Sequence, residues 1–159
     1  MARDAVLTSV EAPGNESARD KMALVSMLGG ACLTNAGLAM AHGIAAALGA
    51  LYGVPHGLAC SILLPYTLRY NAPACSHELS HALSAFLNQG GMMPKILEDG
   101  LAAIEEMADT IGIPPDLKEM GLKPEDVEEV ARHSMGTSMS GNPLPMNPEQ
   151  IAEFLRPLV

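Results

Sequence analysis

From Met22 through Leu68 the chain contains no Asp, Glu, Lys or Arg. A stretch of that kind needs cover from protein or from lipid, and at about 20 residues per crossing it could traverse a bilayer twice. Its content argues for protein. Ser26, Gly29, Gly30, Thr34, Asn35, Gly37, His42, Gly43, Gly49, Gly53 and His56 interrupt the apolar residues, and polar or ionisable groups are costly in lipid. Small residues on every side of a helix let neighbouring backbones approach closely, which suits the centre of a larger protein. The run therefore predicts a central, buried helix pair and no membrane span.

The rest of the composition agrees. Charged residues are 17% of the 159, below the roughly 25% of an ordinary soluble domain, so more of this chain expects to be covered. Aromatics are 3%, with no Trp and eleven Met, so the core has to be built from aliphatic residues with Met as flexible filler. The length fits one domain.

No repeat or strand pattern emerges, and Gly and Pro punctuate a series of helices. Asn15 is a suitable cap for a first helix, which the pattern carries through Glu16 to about Tyr52, where Gly53 stops it. Pro55 opens a second apolar helix over 55–70, which Pro65 is expected to kink or end. Further helices are predicted over 76–88, 92–111 and 124–135. The last opens at Asn147, with Pro148 in its first position and Gln150 placed for a capping box. The fold class is all-α: a bundle of about six helices around the uncharged pair, with residues 1–14 as an N-terminal extension and 15–159 as the domain.

The formal charge is −9. With no basic cluster to offset it, that charge repels a phosphate backbone and excludes nucleic acid as a partner. Cys32, Cys60 and Cys75 are an odd set without short spacing, which argues against a disulfide framework or zinc ribbon and suits a reducing cytoplasm. The N-terminus has no secretory-signal pattern, so a cytoplasmic location is expected.

Within the uncharged run, His42 falls inside a helix and His56 opens the next. Neutral imidazole is the commonest transition-metal ligand, and two on neighbouring rigid helices would have fixed geometry. Spacing alone leaves open the plainer reading of two hydrogen-bonded core histidines.

The surrounding words are more specific: Asn35-Ala36-Gly37-Leu38, Ala41-His42-Gly43, Leu48 through Gly57, Ile62-Leu63-Leu64-Pro65, Arg69-Tyr70-Asn71, Ile111-Gly112-Ile113-Pro114 and Asn142-Pro143. Recurring in this order, they resemble the signature of iron-containing (group III) alcohol dehydrogenases, over about residues 15–159. The resemblance implies the C-terminal part of an all-helical metal-binding domain. In the family this domain follows a dinucleotide-binding α/β domain, and an Asp and three His hold Fe²⁺, sometimes Zn²⁺, between the two. His42 and His56 fall on the last two of these ligands.

The family's other two ligands, in an Asp-x-x-x-His word, lie upstream of the region matched. Only Asp4 and Asp20 precede His42, and neither has a His four residues later. No G-x-G-x-x-G is present either. Ala46 stands where many members carry a further His that can relay protons, and Tyr66 stands where a His usually follows the Pro. The resemblance thus implies NAD- or NADP-linked interconversion of a small alcohol with an aldehyde or ketone. This chain is expected to supply the helical part and to be inactive alone; a split enzyme with the nucleotide-binding domain provided in trans is one of the readings left open. Alone it is expected to bind metal weakly and to self-associate through the uncovered apolar run.

A competing motif is His77-Glu78-Leu79-Ser80-His81, which matches H-E-x-x-H. On a helix this sets two imidazoles on one face beside a carboxylate, as in zinc metallopeptidases, where the Glu is a general base on metal-activated water. The extended metzincin word fails, since Ser84 replaces its Gly. Glu98 and Glu105 remain candidate third ligands. A small metallopeptidase-like or metal-binding protein at His77, Glu78 and His81 is therefore the alternative reading, and an inactive remnant is a third.

Overall fold

The computed structural model describes residues 2–159. It is built of eight α-helices joined by turns and short 3-10 segments, with no strand among the described residues. Two compact units are present: residues up to Gly37 with His77–Gly112, and Leu38–Ser76 with Ile113–Val159.

The first unit holds α1 (Ala2–Glu11), which falls within the expected 1–14 extension, together with α2 (Glu16–Ala36), α5 (Ser76–Leu87) and α6 (Met93–Thr110). Asn15 caps α2 as its position predicts, its side chain accepting the Ala18 backbone N–H at 3.0 Å and so satisfying one of the helix's free donors. Leu79 and Leu83 of α5 and Ile96, Leu101 and Ile104 of α6 are buried.

The second unit contains α3 (Met40–Tyr52), α4 (His56–Asn71), α7 (Val127–His133) and α8 (Pro148–Leu155). Met40, Ile44, Leu48, Ile62, Leu63, Val127, Val130, Ile151 and Leu155 form its core and are essentially inaccessible. Each such side chain contributes roughly 1.5–3 kcal/mol on leaving water. The α8 capping box is present, with Asn147 and Gln150 bonding each other's backbone N–H at 2.9 Å. Tyr70 meets Phe154 edge to face at 5.8 Å.

The single helix predicted from about Asn15 to Tyr52 is two. α2 ends at Ala36 and α3 begins at Met40. Gly37 adopts φ 75°, ψ −164°, a backbone conformation closed to residues with a side chain, and its N–H still reaches the Leu33 carbonyl at 3.0 Å. The break brings Leu38 against Gly141, so close that a side chain at 141 would strike the Leu38 carbonyl. Tertiary packing thus overrides an unbroken apolar pattern.

The buried pair is accordingly α3 and α4 alone. On α2 only Ala18 is buried; Leu24, Leu28, Leu33 and Met27 are exposed, Met27 by 64%. The reason is geometric: α2 packs against α1, and a ten-residue helix cannot cover one of 21 residues.

Pro65 does not end its helix, since α4 continues to Asn71. Proline costs an interior backbone bond, but Pro65 is buried in the packed α3–α4 pair, and that burial outweighs the loss. No single helix among the described residues is long and apolar enough to cross a membrane; only α2 joined with α3 across their break passes on length and composition.

Candidate metal centre

α3 and α4 form a hairpin whose turn is Gly53, Val54 and Pro55. Gly53 closes α3 in the left-handed region (φ 68°, ψ 16°), its N–H bonded to the Gly49 carbonyl, the usual use of glycine after a helix. Pro55 then sits immediately before the first turn of α4. This turn brings the beginning of α4 back beside α3. His42, in the first turn of α3, and His56, the first residue of α4, meet with ring centroids 5.3 Å apart and planes inclined by 60°.

A third group joins them. Cys60 lies one turn beyond His56 on the same face of α4, its Sγ 3.6 Å from His56 Nε2. One donor atom from each of His42, His56 and Cys60 lies within 4.8 Å of the other two, which makes them the one such trio of His, Cys, Asp or Glu among the described residues. Cys60 was not singled out from the sequence, although its position four residues after a candidate ligand on a helix was a usable signal.

The run that holds both histidines was expected to be a buried helix pair. The structure corrects this: His42 is half-buried and His56 is exposed, because His56 stands where α4 leaves its turn. Partial burial, followed by the neighbouring His56, lowers the proton affinity of His42 below the ordinary imidazole value, since both disfavour a charged ring. Burial pushes the Cys60 thiol up.

His42 and Cys60 also border a cleft of about 390 Å³, walled by Met40, Leu64, Leu68 and Pro143 and floored by Thr67 and Asn71. Such a volume suits a small organic molecule. Ala46, one turn after His42, is exposed and carries no titratable group. Tyr66 donates its hydroxyl to the Pro115 carbonyl at 2.6 Å.

At the start of α3, Ala39 provides no side-chain cap. Asn142 takes over that task from a distant part of the chain, accepting the Met40 N–H at 3.2 Å. It also exchanges amide bonds with Asn71 of α4. Gly43, next to His42, passes so near the end of α7 that an added Cβ would lie 2.9 Å from the Ser134 carbonyl.

The other candidate site is on α5. His77 and His81 meet edge to face at 4.7 Å beside a recess of about 170 Å³, and His77, Glu78 and His81 are all exposed. Among the described residues, neither Glu98, Glu105 nor any other carboxylate or thiol completes a three-donor group with them.

Residues 2–159 match the Fe-containing alcohol dehydrogenase family, C-terminal. The chain is 31% identical over 145 residues to lactaldehyde reductase of Escherichia coli K12, and 35% identical over 147 residues to 1,3-propanediol dehydrogenase of Citrobacter freundii. In each case the match takes in 89% of this chain and 38% of the relative. The crystal structure of a 1,3-propanediol oxidoreductase superposes with a TM-score of 0.93 at 31% identity, over 99% of this chain and 42% of the other. The chain thus has the fold of an oxidoreductase's helical domain and spans well under half the length of these relatives. It belongs to the iron-containing alcohol dehydrogenase family, as the C-terminal part of such an enzyme.

Proposed function

We propose that this chain is the metal-holding helical part of an NAD- or NADP-linked alcohol dehydrogenase, with His42 and His56 as two ligands of a divalent ion, Fe²⁺ or Zn²⁺. The observation that carries the proposal is the convergence of these imidazoles from adjoining helices, with donor atoms no more than 4.8 Å apart. Neutral imidazoles at that reach fit a divalent transition metal. The Asp and third His of the family, with the nucleotide-binding domain, belong to the part of such an enzyme that these 159 residues do not span.

When bound, the ion supplies Lewis-acid polarisation of the substrate oxygen during hydride exchange with the nicotinamide. The residues of this chain hold and surround it. His42, biased toward its neutral form, keeps a lone pair available to metal. Met40, Leu64, Leu68 and Pro143 give an apolar wall that takes the carbon chain of a small alcohol and excludes water, which strengthens electrostatic stabilisation beside it. Ala46 carries no titratable group, so this position supplies no proton relay. The three-carbon compounds in the names of the relatives support a small alcohol or aldehyde as substrate.

Anaerobic titration of the full chain with Fe²⁺ and with Zn²⁺, repeated on His42→Ala, His56→Ala and His81→Ala, tests the assignment. Binding lost in the first two variants and kept in the third is expected. Binding that survives both and disappears only in His81→Ala would transfer the metal to the H-E-x-x-H helix and overturn the reading.

A further inference from the structure

We infer that Cys60 is a third metal ligand, so that the α3–α4 hairpin alone forms a two-histidine, one-thiolate site selective for a thiophilic ion such as Zn²⁺. The inference rests on the histidine assignment above and adds to it a donor of different chemistry.

The geometry carries it. Tetrahedral zinc, with bonds of about 2.05 Å to nitrogen and about 2.3 Å to sulfur, holds those two atoms about 3.6 Å apart. That is the separation of Cys60 Sγ from His56 Nε2. An i,i+4 pair on one helix face keeps this edge rigid, while His42 approaches from the other helix within the same 4.8 Å envelope. Cys60 and His42 also border the same cleft, so in this chain on its own the three hairpin donors leave the fourth tetrahedral position toward that cleft, where a donor from the rest of the enzyme would enter.

On binding, the sulfur–hydrogen bond breaks, the proton passes to solvent, and the thiolate electron pair forms the bond to the ion. No oxidation takes place. A thiolate favours zinc over iron and excludes magnesium, because soft donors select borderline-soft ions. The weak binding expected of two imidazoles is thereby replaced by stoichiometric binding of one Zn²⁺ per chain.

Co²⁺ titration of the full chain reads the ligand directly. The wild type should show a near-ultraviolet sulfur-to-cobalt charge-transfer band that Zn²⁺ abolishes. Cys60→Ser should lose that band and bind Zn²⁺ about a hundredfold more weakly, since even residues behind a ligand cost about 10–100-fold when changed. A second measurement needs no variant: saturating Zn²⁺ should slow alkylation of Cys60 while exposed Cys32 reacts unchanged. A Cys60→Ser protein that binds as the wild type, with His42→Ala and His56→Ala both losing the ion, would overturn the thiolate and leave the histidine assignment standing. Binding indifferent to both histidines would overturn the two together.

Discussion

Asn71 and Asn142 exchange side-chain amide hydrogen bonds in both directions, each 2.9 Å long. The same two groups reach the backbone of Met40, Leu144 and Thr67, so one buried amide pair ties the start of α3 and the end of α4 to the segment after α7. Removing one partner strands the other without water, which costs about 2 kcal/mol. Asn142→Ala should lower the melting temperature by about 4–8 °C in a calorimetric scan of the metal-free chain. An unchanged transition would show that the pair is dispensable.

Gly43 and Gly30 should respond oppositely to alanine. At Gly43 the methyl would enter the space of the Ser134 carbonyl, and overpacking of this kind costs about 1–3 kcal/mol. At Gly30, inside α2, nothing lies within 4 Å, so Gly30→Ala should gain about 0.5–1 kcal/mol from helix propensity. Urea unfolding of both variants checks the contrast, and a shift of the same sign in both would refute it.

Metal binding should weaken as the solution is acidified, because the ion requires neutral imidazoles. An ordinary histidine protonates near pH 6.5, and His42 lies below its ordinary value, so His42 resists protonation further into acid. For the metal-free chain the sign is the same: the stability linked to His42 is full above about pH 6.5 and is lost as pH falls through the lower folded value. Melting curves between about pH 8 and 5, compared with His42→Gln, should show a shallower acid decline in the variant. A steeper one would contradict the direction.

Leu24, Met27, Leu28 and Leu33 leave α2 with an uncovered apolar face, and faces of that kind drive association. Sedimentation velocity at increasing concentration should show the isolated chain associating, and Met27→Lys with Leu28→Lys should return it toward monomer. Equal association in the two proteins would place the contact elsewhere.

Much of this was legible in the residues, for identifiable reasons. Asn147, Pro148 and Gln150 specify a helix start by local chemistry, and local chemistry prevailed. The words around His42 and His56 marked the hairpin because they take in its short turn, Gly53 to Pro55. The break at Gly37 was hidden inside an apolar run, since its cause is the passage of Gly141 beside Leu38. The cap that Asn142 gives α3 and the approach of Cys60 to His42 were hidden for the same reason: one acts across about a hundred positions, and the other arises only once two helices are folded together. The exposure of α2 follows from the length of its neighbour, which periodicity does not encode.

The turn at Gly53, Val54 and Pro55 has a further consequence. His42, His56 and Cys60 ride on one contiguous hairpin, so their mutual spacing is set first by its three linking residues, with Asn142 bracing both helices from outside. The edge proposed to hold the ion can therefore behave as a cassette, able to be grafted between helical scaffolds, provided that the recipient offers the same close-packed neighbour at Gly43 and a cap such as Asn142.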